Sequence, residues 1–164
     1  MQSTNFKHLQ DRWPKLYEHA NSAEQYVHTD PHASIIKLRC FAEQLVGTLY
    51  REFDLPCERN DGFFEKIKSP VFLEVVDKNI QEKLNAIRIL GNKAIHKGYK
   101  SSDDALALLR EAYLIGQWIF KTYSGITDVQ YPSYIEPIHP DVSVNLLNDE
   151  KKELEANIQG VKEK

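Results

Sequence analysis

The sequence predicts an all-α protein: a helical bundle, then an extended proline-rich segment, then a C-terminal amphipathic helix. Three observations carry the prediction. Apolar residues recur at steps of three and four through most of the chain, which is the period of a helix with one buried face. Trp13-Pro14, Asp30-Pro31 and Ser69-Pro70 each place a proline where it suits a first helical turn. Strand-like alternation is weak throughout.

The first helix opens at Pro14, with Leu16, Tyr17, Ala20, Ala23 and Val27 at helical spacing. Asp30 and Pro31 supply an N-cap and a first-turn proline for the second, over about residues 31 to 53. Its stripe of Ile35, Leu38, Ala42, Leu45, Val46 and Leu49, widened by Phe41 and Phe53, marks it as the central core helix. "DLPCERNDG" breaks the pattern with a proline and an Asp-Gly turn, so "FFEKIK" forms only a turn or two.

Ser69-Pro70 restarts helix, and Ile80, Leu84, Ile87, Gly91, Ala94 and Ile95 continue the period until Gly98 stops it. Ser101 and Asp104 resemble a capping box for a helix carrying Leu106, Leu109, Ala112, Tyr113, Gly116, Ile119, Phe120 and Tyr123, which Ser124-Gly125 ends. "ITDVQYPSYIEPIHPDVS" has three prolines and no helical period, so it runs extended over the surface or serves as a linker. Beyond it Val144, Leu147, Lys151, Leu154, Ile158 and Val161 form a heptad seam. The expected organisation is a bundle over 1–125, a linker over 126–142 and a charged amphipathic tail over 143–164, packed on a partner, a sister chain or a continuation of the same chain.

At 164 residues the chain suits one domain with an appendage. A 27% charged composition with a net charge of -3 contains no strongly basic nucleic-acid arm. No stretch is apolar enough for a membrane span, "MQSTNFKHLQDRW" lacks the apolar core of a signal peptide, and a cytoplasmic location is expected. Cys40 and Cys57 have neither metal-ligand spacing nor a secretory context and are expected to be ordinary reduced thiols. There is no HExxH, Walker A, GxGxxG or nucleophile elbow. Trp13, Trp118 and Tyr123 sit in helical settings that favour core packing over base stacking.

The segment that raises a chemical question is "IRILGNKAIHKG" at 87–98. At about 100° per residue, Arg88, Asn92 and His96 fall within roughly 80° of one another. One reading makes His96 a general acid/base, with Arg88 neutralising a phosphate and Asn92 orienting the base or leaving oxygen, as metal-independent RNA cleavage requires. The other has the same side chains bridge helices and satisfy carbonyls near a helix end. On spacing alone the structural reading is favoured.

"FKHLQDRWPKLYEHANSAEQYVHTDPHASIIKLRCFAEQLVGTLY", then "IRILGNKAIHKG", then "ALALLREAYLIGQWIFKTY", resembles the helical domain found at the N-terminus of many type I restriction enzyme R subunits, over about residues 5 to 125. The resemblance implies a HEPN-like helical bundle identified by Arg88, Gly91, Asn92 and His96. Active HEPN ribonucleases bring together, across a dimer, an arginine and a histidine about four to six residues apart. Here seven residues intervene, and Ile89 follows the arginine where active members usually carry a polar residue.

The resemblance therefore implies a non-catalytic accessory domain, itself without cofactor or metal. ATP and Mg would serve only the motor and nuclease domains of a full-length R subunit, a type I site-specific deoxyribonuclease in defence against foreign DNA. Its expected partners are the rest of the R subunit and other restriction-complex subunits, with DNA and a second copy as further partners and no membrane. The rival readings are a dimeric HEPN ribonuclease using Arg88, Asn92 and His96, and a free-standing nucleic-acid-binding adaptor.

Overall fold

A computed structural model describes residues 3–126, 128, 131 and 133–162. The chain forms helices α1 (Pro14–Tyr26), α2 (Pro31–Glu52), α3 (Phe63–Lys68), α4 (Pro70–Val75), α5 (Lys78–Lys97), α6 (Ser102–Tyr123) and α7 (Pro140–Lys162). The described residues contain no strand, so the protein is an all-α bundle. No helix among them is long and apolar enough to cross a membrane.

Helix α2 is the hub, packing against α1, α5 and α6. Its predicted stripe of Ile35, Leu38, Phe41, Ala42, Leu45, Val46 and Leu49 is almost wholly inaccessible to solvent. Asp30 caps it by accepting from the Ala33 amide at 3.0 Å. Ser34, inside the core, donates its hydroxyl to the Ala23 carbonyl at 2.7 Å, which joins the start of α2 to the end of α1 and costs no unpaired donor. The two helices therefore run antiparallel, with the start of α1 beside the end of α2.

Local punctuation differs from the sequence expectation in three places. Ser69 precedes α4 without a side-chain cap, and Val76 in extended conformation separates that short helix from α5. Only half of the Ser101/Asp104 box forms: Ser101 accepts from the Asp104 amide at 3.2 Å, while the Asp104 carboxylate is taken by the Tyr99 hydroxyl. Gly98 and Gly125 behave as helix stops, with φ of 64° and 73°.

Ahead of α1, a 3-10 turn over Lys7–Leu9 drives Phe6 and Leu9 fully into the core. Gly116 on α6 makes room for it, since a Cβ there would lie 3.2 Å from a Leu9 methyl. The described part of the proline-rich segment is an extended strap fastened to the body. Asn5 reads its backbone at both groups, donating to the Ile135 carbonyl at 2.8 Å and accepting from the Ile135 amide at 2.9 Å. The His28 ring meets the Pro137 carbonyl at 2.7 Å, Tyr134 packs on Tyr113, and Tyr131 stands edge-on to His8 and Phe120.

After the strap, α7 starts at Pro140, three positions before the expected boundary, because proline suits the first turn and the strap's carbonyl contacts finish at Pro137. None of its 23 residues is buried. Its seam residues Val144, Leu147, Leu154, Ile158 and Val161 are each at least half exposed.

Candidate functional site: the polar stripe of α5

Helix α5 is built on Ile80, Leu84, Ile87, Gly91 and Ala94, all buried at steps of four and three. Ile95, expected on that line, is 48% exposed. It lies about 100° around from Ala94, beyond the edge of the buried line. Ile89 is likewise exposed.

Gly91 sets the distance to α2. A Cβ on it would come within 2.9 Å of the Arg39 Cβ and Cδ, so the helices touch through a bare backbone and an arginine stem. That approach lets the Asn92 side-chain oxygen accept from the Arg39 guanidinium, whose Nε also donates to Glu43 at 2.7 Å. Two turns away on α2, the His32 ring meets the Ala94 carbonyl at 2.8 Å, which satisfies one of the carbonyls that a helix end leaves open.

Arg88 points the other way. Its Nη2 and Nε donate to Asn85 at 3.0 and 3.2 Å, and its guanidinium lies 4.9 Å from the centre of the Phe64 ring of α3. Helical side chains lean toward the N-terminus, so Arg88 is directed away from His96, which is eight residues or about 12 Å further along the axis. His96 is exposed and makes no hydrogen bond or ion pair among the described residues. The stripe is thus divided: Asn92 is engaged by α2, Arg88 by α3, and His96 by neither. Within one chain the three do not converge on a common atom.

Sequence reasoning missed Arg39, His32 and Phe64. Arg39 and His32 sit seven residues apart on one flank of α2, a legible spacing, but only the fold shows that this flank meets α5. Trp13 is buried and the Trp118 indole donates to Asp77 at 3.2 Å, so both tryptophans belong to packing. Cys40 and Cys57 are free thiols, and burial pushes the Cys40 thiol up, with Glu43 adding to the effect. Among the described residues no group of three or more His, Cys, Asp or Glu could hold a metal ion.

These features define a helical-bundle domain with a strapped linker and an uncovered amphipathic helix. The chain belongs to the DUF4145 family, a domain of unknown function, whose pattern matches residues 21–122. It is also similar to the type I restriction enzyme EcoKI endonuclease subunit of Escherichia coli (strain K12), 27% identical over 164 residues that cover 97% of this chain. The chain spans only 14% of that relative's length. No solved structure matches.

Proposed function

We propose that this chain is a non-catalytic accessory domain of a type I restriction R subunit, and that it docks the remainder of that subunit through α7. The observation that carries the reading is the uncovered seam of α7, a 23-residue helix with no buried residue. A lone amphipathic helix is marginal in water, and a row of half-exposed leucine, isoleucine and valine gains about 1.5 to 3 kcal/mol per fully buried side chain on docking. The EcoKI relative supplies the restriction context, and the engagement of Arg88 and Asn92 within the bundle supports the absence of catalysis. ATP and Mg belong, on this reading, to the motor and nuclease parts of the subunit, and the protein works in the cytoplasm.

The test is co-purification of this chain with a separately expressed remainder of the R subunit. The wild-type chain retains the remainder, and Leu154→Asp with Ile158→Asp loses it while the bundle keeps its melting temperature. Equal retention by both would contradict the docking role.

The exposure of His96 favours one second reading, a metal-independent ribonuclease in which two copies bring His96 of one to Arg88 of the other. Purified protein incubated with RNA decides it: cleavage that His96→Ala abolishes establishes the ribonuclease, and intact RNA removes it.

A further inference from the structure

A different face of the bundle carries a site of its own. Where the start of α1 meets the end of α2, a cavity of about 410 Å³ is lined by Arg12, Lys15, Gln44, Thr48, Arg51 and Glu52. The cations continue along the seam between the two helices. Lys15, His19 and Tyr26 share one face of α1 by their spacing of four and seven, and Lys37, Gln44 and Arg51 share one face of α2 at steps of seven. His19 senses the lysines from both helices: burial depresses its pKa first and Lys37 depresses it further, Glu18 opposes the shift, and Lys15 adds a smaller depression.

Carboxylates also stand at this seam, Glu52 in the cavity lining and Glu18 beside His19, and they compensate the charge only in part. Arg12 pairs loosely with Glu52 at 3.6 Å, but Lys15, Lys37 and Arg51 have no carboxylate within 4.0 Å among the described residues. Arg51 instead donates to the Thr48 hydroxyl at 3.2 Å, which holds its guanidinium at the cavity. In a chain of net charge -3 such a concentration is not the average surface. At the other end of the same face stands Tyr26, 44% exposed, an aromatic ring free to stack.

We infer that the α1–α2 seam binds the phosphodiester backbone of a single-stranded nucleic acid, with Arg51, Lys15 and Lys37 meeting phosphates spaced along the strand and Tyr26 stacking on a base. From Lys37 to Arg51 the seam runs about 21 Å along α2, at 1.5 Å per residue. That length matches about six nucleotides of a stacked strand at 3.4 Å each. A cationic groove with an aromatic platform is the general solution for holding a strand without reading its sequence. The site shares no residue with the α5 stripe or α7, so it stands or falls independently of the docking role.

The test is fluorescence anisotropy of the full chain with a labelled 12-nucleotide oligo-dT, a 12-nucleotide oligo-U and a 12-base-pair DNA duplex, each titrated at several salt concentrations. Arg51→Glu with Lys37→Glu is expected to weaken strand binding at least tenfold and to flatten its salt dependence. Tyr26→Ala weakens it at unchanged salt slope. Lys97→Glu, a charge reversal on α5, leaves it as in wild type. All four positions are solvent-accessible side chains, and circular dichroism confirms that each variant is folded. Binding of oligo-dT alone, oligo-U alone or both supports the site and assigns the source of the strand. No binding of either strand at low salt overturns the inference. So does tighter binding of the duplex, equal weakening by Lys97→Glu, or displacement of the strand by inorganic phosphate at the same concentration of phosphate groups.

Discussion

At the scale of single residues, Asn92 and His96 share a helical stripe and have different fates. Asn92 carries an interhelical bond to Arg39, and Arg39 is only partly exposed. Asn92→Leu removes the acceptor and leaves guanidinium donors facing a leucine, which should lower stability in urea by about 1 to 3 kcal/mol. His96→Ala touches nothing of that kind and should stay within about 0.5 kcal/mol of wild type. Equal losses in the two variants would contradict the division of the stripe. The sequence made the stripe visible, since Arg88, Asn92 and His96 follow from spacing alone. What it hid was the direction of each side chain, because whether Arg88 leans to Asn85 or His96 depends on a neighbour, Phe64, that a loop of unreadable geometry brings to it. Gly91 was legible only as a small residue allowing a close neighbour, and the neighbour proved to be Arg39.

At the scale of elements, the helices with long apolar periods were legible and the pieces held by tertiary contacts were not. α2 was readable because twenty-two residues carry one uninterrupted stripe between a cap and a break. The 3-10 turn at Lys7–Leu9 has no period to detect, and its place is fixed by Phe6 and Leu9 entering the core. The strap was legible as extended but not as fastened, since proline spacing says nothing of Asn5 or His28. Its junction with the bundle contains a titrating group. His8 stands edge-on to Phe120 of α6 and Tyr131 of the strap, and burial lowers its pKa below 6.5 although a hydrogen bond to the Gly116 backbone opposes the shift. With the folded value below the unfolded one, the unfolded chain binds the proton first as pH falls. The stability linked to neutral His8 is therefore complete above pH 6.5 and drains away below it, toward the folded pKa. His19, lowered by burial and by Lys37, adds a loss of the same sign. Thermal melting should fall between pH 7.5 and pH 5.5, less steeply in His8→Phe than in wild type. Identical slopes would show that His8 does not titrate against the fold.

At the scale of the molecule, the bundle and α7 obey different physics. The bundle buries its apolar faces around α2 and closes its exposed helix ends with Asp30, Ser101 and Gly98. α7 keeps its apolar residues largely in water, and among the described residues it is braced by a His139–Asp141 contact at 3.6 Å at its start and the Lys151–Glu155 pair at 3.9 Å. An exposed ion pair of that kind contributes a few tenths of a kcal/mol, too little to hold the helix by itself. The chain therefore carries a folded body, a fastened strap and an uncovered helix, which on the proposed reading becomes stable on docking. Docking through α7 is the central claim, and amide hydrogen exchange across 142–161 tests it most directly. In the chain alone these amides should exchange far faster than those of α2, and on adding the remainder of the R subunit they should slow by at least a hundredfold. Amides of α7 already as protected as those of α2 in the isolated monomer, or unchanged by the added subunit, would contradict it.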